Sequence, residues 1–492
     1  MPARAFERLK TIVRRDSQDT QNNDLIQESC SVLQLSDEQL KKIMQLLLDN
    51  MILGLSKDTV EQADIKMLPS YVRSVPNGTE HGNFLALDLG GTNFRVLLIR
   101  LRGKEAEMCG KIYRIPNTLM VGTGEALFDH IADCLAKFMD EQGLIGQPNL
   151  PLGFTFSFPC RQEGLTCAKL ITWTKGFKAS GVEGEDVVTL LRNSVNKRKD
   201  ISIDVVALLN DTVGTLMACA HQENSCQVGV IVGTGSNACY MEKILRCSKL
   251  DNEIDVNDGG PDEIIINTEW GAFGNDGCLD FIRTSWDYAV DSASINPGKQ
   301  IFEKMISGMY MGELVRQVLV NLCERGLLFD GKGSDALSTR GRFPTKFVSE
   351  IEADLEEEDR TFQTTFNILE DLGLENISAS DCANVAYVCS LVSSRAAALC
   401  AAGIATLLNR MAKPYVTVGV DGSVYRFHPT FKMLLDQKID QLIDPGLEFQ
   451  LMLSEDGSGK GAALVAAVAC RIDEEKQQRR KQLNCDVEMK SV

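Results

Sequence analysis

Two stretches of the chain share one pattern. Residues 85–99 read LALDLGGTNFRVLLI, and residues 226–244 read CQVGVIVGTGSNACYMEKI. In each, an apolar run meets a turn of glycines and small polar residues, and a second apolar run leaves. Short apolar runs on both sides of such a break predict two strands joined as a β-hairpin, because glycine reaches positive φ at no steric cost. The same turn leaves backbone N–H groups approachable, and Thr92 and Asn93 add side-chain donors, so it can also cradle a phosphate. The turn residues alone leave both readings open.

The surroundings repeat as well. After the first hairpin come a candidate third strand, KIYRIP, and a helix near 125–142 with Leu127, Ile131, Leu135 and Phe138 on one face. The strand PLGFTFSFP, the helix DVVTLLRNSVNK and the strand ISIDVVALLND follow. After the second hairpin come EIIINTEW, then much later YVTVGVDGS and FQLMLSEDG. The second half replays the first with more helices inserted. Two similar α/β halves would each offer a glycine turn to a cleft between them, a natural place for a nucleotide.

Upstream, residues 1–23 are polar and read as loose. Ser36-Asp37-Glu38-Gln39 is a capping box opening a helix through Leu40, Ile43, Leu47 and Met51 toward Gly54. MLPSYVRSVPNGTEHG reads as a connector. The most apolar long stretch, 385–408, contains Arg395 and reads as a buried, alanine-rich helix rather than a membrane span. The C-terminal DEEKQQRRKQLNCDVEMKSV is charged and predicts a helix extension fraying into a tail.

Composition excludes several classes. At 492 residues and 44% hydrophobic the chain has material for large cores, and its net charge of -17 argues against nucleic acid as a partner. Sixteen cysteines include no C-x-x-C pair and only four histidines are present, so zinc lacks its ligand spacing. With no apolar secretory core at the N-terminus, that many thiols point to the reducing cytosol.

The chemistry-bearing residues lie where strands end. LLNDTVGTL delivers Asn210 and Asp211 from an apolar strand; Asp211 can be a helix N-cap or a carboxylate base beside an orienting amide. GFTFSFP presents Ser157, ITWTKGF presents Thr174 and Lys175, and INTEWGAFG ends on Glu269. Glu303, in NPGKQIFEKM, reads from pattern alone as a solvated helix face. Together these hydroxyl, amide and carboxylate groups suit a polyhydroxylated ring, whose hydroxyls need paired donors and acceptors. Gly326–Lys332, GLLFDGK, has Walker A spacing, but Gly333 stands where a metal-binding hydroxyl belongs and no buried strand leads in.

In order along the chain, LALDLGGTNFRVLL, LGFTFSFPC, TWTKGF, LNDTVGTL, VGTGSN, NTEWGAFG, GMYMGELVR, VTVGVDGSVYRFHP and LSEDGSGKGAA resemble the eukaryotic hexokinases, including glucokinase, from about residue 24 to 472. The resemblance implies an α/β, duplicated, actin-like (ribonuclease-H-like) ATPase fold with small and large domains around a central cleft. It divides the chain into a flexible segment 1–23, a large domain of 24–77 and 210–454, a small domain of 78–209 and 455–475, and a charged tail 476–492. It implies transfer of the ATP γ-phosphoryl to the 6-hydroxyl of glucose, and of mannose and fructose, with Mg²⁺ held by the ATP phosphates and waters near Asp88 rather than by direct protein ligands.

By the same resemblance, Asp211 is the catalytic base and Lys175 its cationic partner. Ser157, Thr174, Lys175, Asn210, Asp211, Asn237, Glu269, Gln300 and Glu303 form the sugar shell. Gly90, Gly91, Thr92, Asn93 and Arg95 form the first phosphate loop, and Gly233, Thr234 and Gly235 the second. Gly308, Thr345, Ser349, Gly422 and Ser423 contact the nucleotide. The expected protein is a single kinase unit and a monomer. Its N-terminus, MPARAFERLKTIVRR, is basic and mildly amphipathic, which favours free cytosol over mitochondrial association. A sugar sensor without catalysis and a chaperone-type ATPase are the competing classes. Asp211, Lys175 and both turns argue against the first, and the sugar shell argues against the second.

Overall fold

The computed structural model describes residues 17–90, 93–158, 160–173, 176–251, 253–254, 260–356, 361–455 and 457–490. Residues 1–16 and four of the expected site residues, Gly91, Thr92, Thr174 and Lys175, lie outside the described residues.

Helix α1 (Ser17–Cys30) begins inside the segment expected to be loose. It is held by burial of Ile26 and Cys30 and by a hydrogen bond from Asn384 Nδ2 to Asn23 Oδ1 at 2.6 Å. Helix α2 (Asp37–Leu55) starts at the capping box, with Ser36 and Gln39 satisfying each other's backbone N–H. Its buried stripe is Leu40, Ile43, Leu47 and Met51. The connector then contributes a two-residue strand, β1 (Leu68–Pro69).

The first sheet contains β2 (His81–Leu89), β3 (Asn93–Arg102), β4 (Glu105–Arg114), β5 (Leu150–Phe156) and β8 (Ile203–Leu209), in the order β4-β3-β2-β5-β8. The small hairpin β6 (Cys160–Gly164) and β7 (Cys167–Leu170) stands apart from it. The strand expected at KIYRIP starts six residues earlier, because β4 pairs with β3 along its whole length. Alternate residues of β2 face opposite sides. Leu85 and Leu87 pack with Leu127, Ile131 and Leu135 of α3 (Gly124–Glu141) and Leu191 of α4 (Val187–Lys197), while Phe84 and Ala86 belong to the other core.

Strand β8 leads into helix α5 (Asp211–Gln222), after which the second sheet begins. It holds β9 (Cys226–Val232), β10 (Ser236–Lys243), β11 (Glu263–Asn267), β12 (Tyr415–Asp421) and β13 (Glu448–Leu453), in the order β1-β11-β10-β9-β12-β13. Apart from β1, the order repeats that of the first sheet, with two antiparallel pairings followed by two parallel ones. The duplication read from pattern is therefore a duplication of topology. The second half carries its extra helices between β11 and β12: α6 (Ser285–Ser292), α7 (Ile301–Ile306), α8 (Gly308–Glu324), α9 (Thr345–Glu356) and α10 (Ala379–Met411). Helix α10 is long and apolar enough to cross a membrane, but 89% of its most apolar window is buried inside the protein. Helices α11 (Ser423–Phe427) and α12 (Phe431–Leu442) separate β12 from β13, and α13 (Gly457–Lys490) ends the fold.

The halves exchange their last helices. Helix α5 follows the first sheet yet packs on β9 and β12 of the second; α13 follows the second sheet yet packs on β2 and β5 of the first. The two helices also pack on each other. They touch so closely that a Cβ on Gly461 would collide with the carbonyl of Gly214, and one on Gly214 would stand 2.8 Å from the carbonyl of Gly457. Cores of native density cannot absorb such an overlap without moving backbone, so only glycine fits at this crossing between the halves.

Candidate active site

The second glycine turn is the best-held part of the site. Gly233 N–H donates to the Gly235 carbonyl at 2.9 Å and closes the turn. The first turn of α8 then covers it, with Gly308 N–H donating to Gly233 O at 2.8 Å and Met309 N–H to Thr234 O at 3.1 Å. Gly422, at φ 116°, lies against the same place, and a Cβ on it would strike the carbonyl of Val232. Thr345 ties α9 to this corner: its hydroxyl donates to Gly308 O at 2.6 Å and accepts from Gly312 N–H at 2.9 Å. Ser349 lies one turn further along α9, and Ser423 opens α11 directly after Gly422. Gly308, Thr345, Gly422 and Ser423 thus meet around one turn.

Two carboxylates grip consecutive residues of β10. Glu303 Oε2 accepts from Ser236 N–H at 3.0 Å, and Glu269 Oε1 accepts from Asn237 Nδ2 at 3.1 Å. Asn267 Nδ2 also donates to Glu269 Oε1, at 2.7 Å. Glu303 is therefore not on a solvated helix face. Burial raises the pKa of both carboxyls; the charge of Asp211 adds to this at each, and Glu269 adds to it at Glu303. Hydrogen bonds from Asn267, Asn237 and the Ser236 amide pull the other way. Glu269 (φ 55°) and Gln300 (φ 56°) both occupy the left-handed region, a backbone cost that clusters at functional sites. The Gln300 side-chain oxygen lies so close to Gly271 that a Cβ there would collide with it.

Asp211 enters from the first half. The N-cap of α5 is Asn210, whose Oδ1 accepts from Val213 N–H at 3.1 Å, so Asp211 is the first helical residue. A carboxylate there is stabilised by the unpaired N–H groups of the first turn. Its charge acts on Glu269 and Glu303, so three carboxylates come together from the start of α5, the turn after β11 and helix α7.

On the other side, Asp88 at the end of β2 accepts from Arg95 Nη2 at 3.0 Å and from Ser458 Oγ at 2.8 Å. Arg95 also donates to Ser458 Oγ at 3.2 Å, and Thr155 Oγ1 donates to Ser458 O at 2.9 Å. Ser157 N–H donates to Leu89 O at 3.1 Å, and a Cβ on Gly90 would stand 3.6 Å from Ser157 Oγ. Sequence reasoning missed Ser458 and Asn267. Ser458 lies in the GSGKG stretch that fails as a Walker loop yet opens a helix, and Asn267 is two residues before Glu269 on the same strand end. The Walker-like GLLFDGK follows helix α8, not a strand.

Two like halves, each with a hairpin, two parallel strands and an exchanged helix, define the duplicated actin-like ATPase fold. Two family models described as Hexokinase match the chain, over residues 25–221 and 227–468. Hexokinase-1 of Mus musculus is 51% identical over 456 residues, 91% of this chain and 45% of that protein. Hexokinase-2 of Homo sapiens is 50% identical over 457 residues, 91% of this chain and 48% of that protein. The chain spans about half the length of these curated relatives. The hexokinase from Schistosoma mansoni complexed with glucose has a TM-score of 0.80 at 45% identity, covering 91% of this chain and 99% of that one. A second hexokinase crystal structure gives 0.82 at 30% identity, covering 92% and 100%. The chain belongs to the hexokinase family.

Proposed function

We propose that the protein is an ATP-dependent hexokinase that phosphorylates the 6-hydroxyl of glucose, and of mannose and fructose, in the first step of glycolysis. The observation that carries this reading is the meeting of Asp211, Glu269 and Glu303 beside the Gly233–Gly235 turn. Glu269 and Glu303, held by N–H donors of neighbouring β10 residues, suit the paired hydroxyls of a sugar ring. Ser157, Thr174, Lys175, Asn210, Asn237 and Gln300 complete that shell. Asp211 takes the proton of the 6-hydroxyl as its oxygen bonds to the γ-phosphorus and the bond from that phosphorus to the ADP oxygen breaks. A positioned base of this kind contributes typically about 10²–10⁴-fold.

The amides of the Gly90–Asn93 and Gly233–Gly235 turns, with Arg95 and Lys175, hold the phosphates. Gly308, Thr345, Ser349, Gly422 and Ser423 hold the nucleoside end. Asp88, held by Arg95 Nη2 and Ser458 Oγ beside the first turn, fits a role toward the waters of a Mg²⁺ carried by ATP, and that ion, when bound, neutralises phosphate charge. Closure of the halves about the α5–α13 crossing would exclude water, itself a competing acceptor. The glucose bound to the Schistosoma mansoni relative supports the hexose as substrate. The fifteen cysteines described are all free, in keeping with a cytosolic protein. We take the protein to be a monomer.

The test is formation of hexose 6-phosphate from Mg-ATP and glucose, with Asp211→Asn in parallel. Turnover in the parent and a loss of about 10²-fold or more in the variant, with glucose affinity kept within about ten-fold, is the expected result. A folded parent that binds glucose without turning it over would overturn the reading, and normal turnover in Asp211→Asn would overturn the base.

A further inference from the structure

The segment from Ser292 to Lys299 leads into Gln300 and, one turn later, Glu303. None of its residues is buried, and its one large apolar side chain, Ile295, is 83% exposed. Burial of Ile301 and Phe302 anchors the far side of Gln300, but hydrophobic burial does not fix the segment that leads into it, although that segment helps set two sugar-shell residues to within a fraction of an ångström.

Polar contacts to one carboxylate do so instead. Asp291, at the end of α6, accepts from the backbone N–H of Gly298 at 3.0 Å and from Lys304 Nζ at 2.7 Å through Oδ1, and from Arg283 Nη2 at 3.2 Å through Oδ2. Lys304 donates in turn to the carbonyl of Asn296 at 2.8 Å. The segment is thus held at Asn296, Gly298 and Lys304, and Lys304 is the neighbour of Glu303. All three charged side chains are nearly enclosed, with accessibilities of 8% for Arg283, 13% for Asp291 and 4% for Lys304. Helix α6 is itself anchored: Asp287 caps its N-terminus through Thr284 and pairs with the fully buried Arg395 of α10.

We infer that Asp291, acting through Lys304 and the backbone of Asn296 and Gly298, is a positioning residue for the hexose: it fixes the loop that delivers Gln300 and Glu303. This rests on the hexokinase reading above. Its hydrogen bonds run to Gly298, Lys304 and Arg283 and to none of the expected nucleotide contacts, so its loss should register chiefly on the sugar. Removing one member of an enclosed, hydrogen-bonded charge pair also leaves the other unmatched, so Lys304 will move once Asp291 is neutral.

The experiment is steady-state kinetics of the full chain with glucose and Mg-ATP varied independently, for Asp291→Asn, Lys304→Met, the double variant and Lys304→Arg. For Asp291→Asn a rise in glucose KM of about ten-fold or more is expected, with ATP KM unchanged within about two-fold. The double variant, which removes the Asp291–Lys304 pair together and leaves Arg283 its ion pair with Asp280 at 3.3 Å, should recover thermal stability while keeping the raised glucose KM, a split that a purely structural role does not produce. Should Asp291→Asn fail to fold, Lys304→Arg, which keeps the charge but displaces the loop, carries the same split in smaller degree. A folded Asp291→Asn or Lys304→Arg with an unchanged glucose KM, or with both KM values raised equally, overturns the inference while the parent's turnover stands. A parent without sugar-dependent turnover sinks the hexokinase reading and this inference together.

Discussion

The two glycine turns occupy equivalent places in equivalent sheets, yet they are held differently. The turn after β9 is covered by Gly308 and Met309, bordered by Gly422 and gripped through Ser236 by Glu303. Of these, Gly308, Met309 and Glu303 come from the insertion between β11 and β12. Beside Gly90, which leaves β2, the described neighbours are Ser157 and the Asp88–Arg95–Ser458 group. The two frames share a topology, and under the proposed function the frame that carries the extra chain between β11 and β12 is the sugar and nucleoside side, with the Asp88–Arg95–Ser458 cluster of the other serving phosphate.

That asymmetry can be broken one residue at a time. Asp211→Asn carries the largest expected effect, since Asp211 is the first half's contribution to the carboxylates of the second. Next comes a matched pair of alanines. A Cβ at Gly235 would stand 2.5 Å from Glu303 Oε2, whereas one at Gly90 meets nothing nearer than 3.6 Å. Gly235→Ala must displace Glu303 and should raise glucose KM by roughly 10–100-fold, while Gly90→Ala should leave glucose KM within about two-fold. Equal effects on glucose in the two variants would mean that the turns are functionally alike and that the insertion matters less than its contacts suggest.

Much of this was legible in the sequence because it repeats at short range. The hairpins, the parallel strands and the capping box at Ser36 follow from local periodicity and turn chemistry, and the matched topology of the sheets follows from reading the pattern twice. The exchange of α5 and α13 was not legible. It is a fact about which sheet a helix packs on, and Gly214 and Gly461 lie far apart in the chain. Asp211 as the first helical residue, with Asn210 as its cap, turns on side-chain geometry that the adjacent pair does not announce. Glu303 reads as solvated because its helix is short and follows the polar stretch NPGKQ; only the fold brings Ser236 to it. Ser458, Asn267 and Asp291 act through other residues, and their partners are set by tertiary contact rather than spacing.

Smaller effects sharpen the same contrast. Ser458→Ala removes a hydroxyl that donates to Asp88 and accepts from Arg95. One hydrogen bond to a charged group lost at the phosphate side should raise the Mg-ATP KM by roughly 5–20-fold and leave glucose KM unchanged. A change confined to glucose would show that this cluster serves the sugar after all.

The smallest effect concerns stability. Burial raises the pKa of Glu269, with the charge of Asp211 adding to it. The folded protein without sugar therefore holds this proton more tightly than the unfolded chain does, and stability is lost as pH rises from the ordinary glutamate range through the raised value. Above the raised value the ionised carboxylate is a net cost to the unliganded fold, one that sugar hydroxyls would relieve under the proposed function. Glu269→Gln keeps an oxygen to accept from Asn237 and Asn267 but removes the charge. Without sugar it should melt roughly 1–2 °C above the parent at pH 7, the difference vanishing below about pH 4, where both forms are neutral. Glucose should raise the melting temperature of the parent more than that of the variant. A variant less stable than the parent at pH 7 would mean that the carboxylate's hydrogen bonds outweigh its burial. Glu269 would then be a structural clamp on β10 rather than a group held ready for the sugar.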